Sequence, residues 1–124
     1  MLHIPYGNSF LEFDETGASV LTSNIGELKA GGNGRSIVKA AMEAPIDSPR
    51  LSALAKGKKN CVIIISDHTR PVPSRDILPN LFDELREGSP DIGITLLVAT
   101  GLHRPTTAEE LLAKLGPEIV EKVK

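Results

Sequence analysis

Polar side chains that can bind anions and transfer protons follow two apolar segments of this sequence. Asp67, Thr69 and Arg70 come after the segment Cys61 to Ser66, and His103 follows a second apolar segment at 92–99. Arginine presents a planar fork that suits carboxylate or phosphate, and an aspartate can accept hydrogen bonds or orient the arginine. Histidine is the side chain best suited to proton transfer near neutral pH. These residue types indicate a site for an anionic ligand with His103 as its acid or base.

The same residues also fit a purely structural interpretation. Asp67 and Arg70 could form an ion pair that braces their loop, while His103 caps a helix. Three scattered histidines and the single Cys61 show none of the usual metal-ligand spacings, so we expect no metal site from these residues alone. Both interpretations stay open at this point.

Two buried strands are predicted to position these loops. Val62 to Ile65 are four consecutive β-branched residues, a run typical of a parallel strand covered on both faces, and 92–99 forms a second strand. A helix follows each loop: one at 75–86, and one that begins after Thr106 or Thr107 with a glutamate capping-box pattern. Right-handed crossovers make the strands parallel, so both loops leave the same edge of the sheet. Asp67, Arg70 and His103 are therefore expected to converge.

The remaining segments complete an α/β fold with a parallel-sheet core, flanking helices and an N-terminal β-hairpin. Gly7-Asn8 between apolar runs predicts a hairpin over Leu2 to Phe13, joined by a third strand near Ser19 to Leu21, within a hairpin region at 1–25. Ser36 is predicted to cap a helix at 37–43, and a second short helix lies around Leu51, Leu54 and Ala55. Residues 60–124 hold the strand-loop-helix units. Two strands do not make a free-standing parallel sheet, so we expect an incomplete domain truncated at its C-terminus.

Composition excludes several classes of function. The 124 residues include 14 Lys and Arg, 16 Asp and Glu and 3% aromatic residues, which gives no electrostatic or stacking footprint for nucleic acid. No apolar run approaches the length of a membrane span. A single cysteine favours a reducing cytoplasm.

Two long segments, SDHTRPVPSRDILPNLFDEL and VATGLHRPTTAEELLAKLG, resemble the nickel-pincer lactate racemase family. YGNSFLEF and APIDSPRLSALAKGKKNCVIIISD are similar too, so the likeness covers nearly all of residues 1–124. The motifs SD-x-TRP and G-x-HRP-x-T carry the resemblance, because they occur in order and each follows a predicted buried strand. The family's proteins are longer, which agrees with a truncated domain and places this chain in the first part of their N-terminal domain.

The resemblance implies a racemase or epimerase that uses nickel pyridinium-3,5-bisthiocarboxylate mononucleotide. In that chemistry a histidine removes the hydroxyl proton of a 2-hydroxy acid while the cofactor takes hydride from the same carbon. The resulting 2-keto acid accepts the hydride back on its other face. The implied partners are a small 2-hydroxy acid such as lactate and the missing C-terminal part of the same protein, and neither nucleic acid nor a membrane is implied.

Site residues follow from the matched motifs. His103 matches the first of two catalytic histidines. Asp67, His68, Thr69 and Arg70 match the loop that contacts the cofactor, and Arg70 is also placed to hold the substrate carboxylate. The position of His68 varies in the family, so its individual role stays open.

The other half of the family's site lies beyond Lys124: a second histidine, the lysine that carries the cofactor and the histidine that ligates nickel. We therefore expect the 124 residues alone neither to retain nickel nor to racemise a substrate. The alternative is a non-catalytic anion-binding or structural α/β module.

Overall fold

The computed structural model describes residues 1–123, which form two compact units, 1–30 and 31–123. The first unit is built on an antiparallel hairpin of β1 (Leu2–Tyr6) and β2 (Ser9–Phe13), with Gly7 in the turn at φ +59°. The predicted hairpin is confirmed. The predicted third strand near Ser19 to Leu21 is wrong, because these residues belong to no strand. Leu21 is 95% exposed, so this short apolar segment buries too little surface to offset the entropy lost on ordering.

The second unit contains the two parallel strands and all five α-helices of the described residues. In chain order its elements are α1 (Gly34–Glu43), α2 (Leu51–Ala55), β3 (Asn60–Ser66), α3 (Ser74–Gly88), β4 (Gly93–Ala99), α4 (Ala108–Leu115) and α5 (Pro117–Val120). A short 3-10 helix at Ile25–Glu27 belongs to the first unit. The α/β class with a parallel sheet, helices and an N-terminal hairpin is confirmed.

β3 and β4 pair in parallel over their whole length. The register runs from Asn60 opposite Gly93 to Ser66 opposite Ala99, so the two strands end at the same level. The loops that follow them therefore start side by side, as the sequence predicted. No helix in residues 1–123 has the length and apolar character needed to cross a membrane.

One face of this sheet packs on the helices. Its core is formed by Ile65 and Ile94 of the strands with apolar residues of α2 to α5 and the α3–β4 loop: Ala55, Leu78, Phe82, Leu85, Ile92, Leu115 and Ile119. On the opposite face Val62, Ile64 and Leu97 are 60%, 69% and 54% exposed. The expectation that both faces are covered is thus not met within the described residues. A right-handed crossover through α3 places that helix on one face only.

Two local features concern the helices: the start of α1 differs from the prediction, and a glycine allows α3 to pack closely on α2. α1 begins at Gly34, three residues earlier than predicted, because the cap is the side chain of Asn33, which accepts a hydrogen bond from the Ser36 N–H at 2.9 Å. Gly88 lets α3 approach α2 closely, since a Cβ at this position would lie 2.1 Å from the Ser52 carbonyl oxygen.

Candidate active site

Asp67 shapes the loop that follows β3. Its Oδ1 accepts a hydrogen bond from the Thr69 hydroxyl at 2.6 Å and another from the Thr69 N–H at 3.1 Å, which closes a turn two residues long. The side chain is 2% exposed, so this carboxylate is held inside the loop rather than in water. The hydrogen bonds from the Thr69 hydroxyl and then from His103 hold the pKa of Asp67 well below its usual range. Asp67 is therefore a carboxylate at any pH near neutrality.

His103 reaches Asp67 from the neighbouring loop. Its Nδ1 lies 2.5 Å from Asp67 Oδ2, and the imidazole remains 48% exposed. A carboxylate can only accept a hydrogen bond, so the Nδ1 must carry the hydrogen. The neutral imidazole then has its lone pair on Nε2. This is the tautomer of a general base that accepts a proton at Nε2.

The second loop turns sharply so that His103 can reach across. Gly101 has a φ of +57°, in the left-handed region that glycine adopts at little cost, and the His103 N–H donates to the Thr100 carbonyl at 2.9 Å. The left-handed turn thus explains why a glycine occurs two residues before His103. A side chain with a Cβ at this position would strain the turn.

An open cleft of about 540 Å³ lies where the two loops meet. Its lining includes Ser66, Asp67, Arg70, Thr100 and His103. Within residues 1–123 the Arg70 guanidinium makes no hydrogen bond or ion pair, although its backbone is held by the carbonyl of Asp67 at 3.4 Å. The Ser66 Oγ is buried and has no hydrogen-bond partner among the described residues. The cleft is therefore lined by a guanidinium, a hydroxyl and an imidazole, groups that suit a polar, anionic molecule.

His68 points to different neighbours. Its Nε2 lies 3.4 Å from Glu110 Oε1 and its Nδ1 lies 3.4 Å from the Thr106 hydroxyl. It lines a hollow of about 370 Å³ with Arg70, Glu110 and Lys114, whereas the cleft of His103 does not include it. Arg70 borders both spaces.

Asp67, Arg70 and His103 lie around one cleft, as predicted. The ion pair between Asp67 and Arg70 that the structural interpretation expected is not formed. Asp67 pairs with His103 and Thr69 instead of Arg70, which leaves the guanidinium available to a ligand. His3 lies on β1, in the other unit, and Cys61 is partly buried on β3.

Two residues of α4 that contact the loops were missed as site residues. Glu110 is visible in the sequence only as a helix-capping residue, and Lys114 gives no sequence signal at all. Both contact the loops that carry the site, as described below.

The donor set suits the organic part of a charged cofactor better than a metal. Among residues 1–123 no group of three or more His, Cys, Asp or Glu side chains could hold a metal ion. By contrast, the unpartnered Ser66 hydroxyl and the Arg70 guanidinium are suited to carboxylate or phosphate oxygens. Any metal at this cleft would need protein ligands from outside the described residues.

Comparisons with known proteins identify relatives of this chain. A curated lactate racemase from Thermoanaerobacterium thermosaccharolyticum is 50% identical over 123 residues, which cover 97% of this chain and 29% of that protein. The lactate racemase of Lactiplantibacillus plantarum is 48% identical over 107 residues, covering 86% of this chain and 25% of that protein. The chain thus spans between a quarter and a third of the length of these relatives.

A solved lactate racemase structure is similar in fold to this chain. The lactate racemase apoprotein from Thermoanaerobacterium thermosaccharolyticum matches with a TM-score of 0.76 at 45% identity, over 98% of this chain and 28% of that one. The sequence of residues 6–124 matches the family model of the lactate racemase N-terminal domain. The chain therefore belongs to the lactate racemase N-terminal domain family.

Proposed function

We propose that this chain is the N-terminal portion of a racemase or epimerase that interconverts the stereoisomers of a small 2-hydroxy acid, with lactate as the first substrate to test. The observation that carries the proposal is the hydrogen bond between Asp67 and His103 at the carboxyl ends of two parallel strands, in a chain of this family. This hydrogen bond orients His103 as a base beside Arg70, whose guanidinium forms no ion pair within the described residues. We further propose a cytoplasmic location, which the single cysteine favours.

His103 accepts the hydroxyl proton of the substrate at Nε2. Asp67 keeps the hydrogen on Nδ1 and stabilises the imidazolium that forms, because its carboxylate stays ionised. One base serves one face of the planar 2-keto acid, so a second base for the other enantiomer comes from outside residues 1–124. Because the C–H bond next to a carboxylate is a very weak acid, His103 takes the proton of the hydroxyl group and not that of the carbon.

Arg70 binds the substrate carboxylate. Its guanidinium borders the cleft of His103 and makes no ion pair within the described residues, so it can pair with two carboxylate oxygens at once. This contact would orient the hydroxyl group toward His103.

The proposed cofactor is nickel pyridinium-3,5-bisthiocarboxylate mononucleotide, and it would supply the hydride-transfer chemistry of the reaction when bound. Asp67, His68, Thr69 and Arg70 form the loop proposed to contact it. The buried Ser66 hydroxyl offers an additional donor to its charged groups. The nickel ligands and the lysine that carries the cofactor are proposed to lie beyond Lys124, so the 124 residues alone are expected to bind no stoichiometric nickel.

The test is a chiral assay on the longer protein after maturation with its nickel cofactor. We expect interconversion of D- and L-lactate or of another 2-hydroxy acid in a small panel. His103→Ala should abolish it, whereas His3→Ala, which removes a histidine of the hairpin unit, should leave turnover unchanged. Wild-type turnover by His103→Ala would refute the role of His103. A panel without turnover in a protein that binds nickel and cofactor would leave the chemistry in place with a substrate outside the panel, whereas absence of any cofactor binding would favour the non-catalytic anion-binding module.

A further inference from the structure

The helix α4 contacts both loops of the site through one face. Glu110 in its first turn and Lys114 one turn later are four residues apart and therefore lie on the same side of the helix. Glu110 contacts the loop after β4 and also His68 of the loop after β3. The Lys114 ammonium group contacts the loop after β3. These contacts give α4 a connection to each side of the cleft.

Glu110 fixes the residue that follows His103. Its Oε2 and Oε1 accept hydrogen bonds from the Arg104 guanidinium at 2.9 and 2.6 Å, a two-point contact with defined geometry. The same carboxylate accepts from the Thr107 N–H at 2.9 Å and so caps the helix. These contacts, those of Arg104 first, lower the pKa of Glu110 to about 2. The carboxylate is thus charged throughout the range in which turnover is measured.

Lys114 fixes the backbone of Arg70. Its Nζ donates a hydrogen bond to the Arg70 carbonyl at 2.8 Å. The Arg75 Nε, at the start of α3, donates to the Lys114 carbonyl at 3.3 Å, so α3 is also joined to the end of α4. The Arg70 guanidinium takes no part in these bonds and keeps its access to the cleft.

We propose that Glu110 and Lys114 are positioning residues that set the locations of His103 and Arg70 relative to each other. Glu110 acts on His103 through Arg104, and Lys114 acts on Arg70 through its carbonyl group. The inference rests on the proposed function, in which His103 moves a proton and Arg70 binds the substrate carboxylate. Because each contact serves a different group, loss of each should change a different kinetic constant.

Two single variants of the cofactor-loaded, longer protein test this separation. Glu110→Gln keeps the side-chain length and an oxygen for the helix cap but removes the charge that holds Arg104, so kcat should fall about 10- to 100-fold while KM stays unchanged. Lys114→Met removes the ammonium group, so KM should rise about tenfold with little change in kcat, since Arg70 acts in binding.

Each test variant has a matched control. Glu109 is in the same turn of α4 as Glu110 and forms no ion pair within residues 1–123, so Glu109→Gln should keep the wild-type kcat and KM. Lys56 directly follows α2 and forms no ion pair within residues 1–123, so it provides Lys56→Met as the lysine control. The proposal is overturned if both test variants match these controls, or if the controls lose as much activity as the test variants.

A second readout does not depend on turnover. Imidazole ¹⁵N resonances of His103 report which ring nitrogen carries the hydrogen, and we expect one Nδ1-protonated tautomer in the wild type and a mixture in Glu110→Gln. If the wild type binds no cofactor and interconverts no substrate, the proposed function fails, and this measurement decides the positioning role by itself. Unchanged His103 resonances in Glu110→Gln would then overturn the role of Glu110.

Discussion

The substitution Asp67→Asn separates the two tasks of one carboxylate. The asparagine carbonyl oxygen can still accept both hydrogen bonds from Thr69, so the loop should keep its turn. The amide NH₂ group then takes the place of Oδ2, 2.5 Å from the Nδ1 of His103. Two donors cannot face each other, so His103 must place its hydrogen on Nε2 and present Nδ1 as the acceptor. The nitrogen that should accept the substrate proton is then blocked.

The expected loss of kcat depends on the burial of Asp67 and on the exposure of His103. Loss of a partner that orients a ligating histidine costs about 10- to 100-fold, and a wrong histidine tautomer in a hydrolytic triad costs about 10⁴-fold. Asp67 is 2% exposed, which favours the larger figure, while His103 is 48% exposed and can reorient toward water, which favours the smaller. We expect kcat to fall about 10²- to 10⁴-fold in the cofactor-loaded longer protein.

The assay is interconversion of lactate enantiomers followed by chiral chromatography. Asp14 provides a matched control, because its Oδ1 accepts from the Thr16 hydroxyl at 2.7 Å and from the Thr16 N–H at 3.0 Å in the hairpin unit, the same turn with no histidine attached. Asp14→Asn should keep wild-type turnover. Turnover by Asp67→Asn equal to that of Asp14→Asn would refute the tautomer argument.

The other predictions concern stability. Phe82→Ala should lower the free energy of unfolding by about 3–5 kcal/mol in urea titrations, since Phe82 is 1% exposed in the core; a loss near zero would contradict that packing. Gly88→Ala should cost about 1–3 kcal/mol because its Cβ would meet the backbone of α2, whereas Gly31→Ala, with no atom within 4 Å, should not; equal Tm values would contradict this. The pKa values of Asp67 and Glu110 are lowered by folding, so both carboxylates stabilise the fold at neutral pH. The contribution of Glu110 is lost as the pH falls from about 4.5 to 2, and that of Asp67 is lost at still lower pH. Tm should therefore drop in that window, and less so in Glu110→Gln.

The parts of the fold that were predictable are those set by local sequence. Four consecutive β-branched residues from Val62 predicted β3, and Gly7-Asn8 predicted the hairpin, because each pattern restricts the backbone directly. Parallel pairing followed from chirality, which brought Asp67 and His103 to one edge. The start of α1 was missed because Asn33 lies in a glycine-rich segment that resembles a loop.

The details of the site depended on contacts between distant residues. Nothing in the sequence indicates whether Asp67 pairs with Arg70, three residues away, or with His103, 36 residues away. The choice depends on where the second loop turns, which Gly101 permits without specifying. The hydrogen bond from Lys114 to the Arg70 carbonyl joins residues that are 44 positions apart. Because the acceptor is a backbone atom, the residue types do not predict this bond.

β3 and β4 end at the same level of the sheet, with Ser66 opposite Ala99. This arrangement limits the insertions and deletions that the chain can accept during evolution. One residue inserted into β4 would carry every later residue about 3.3 Å along the strand and turn alternate side chains to the other face. His103 would then no longer meet Asp67, although every residue of the site were retained. The connection at 89–92 joins α3 to β4 outside this register, at the opposite end of the strand. Insertions and deletions should therefore accumulate there, while the distance from Ser66 to Arg70 and that from Ala99 to His103 stay constant.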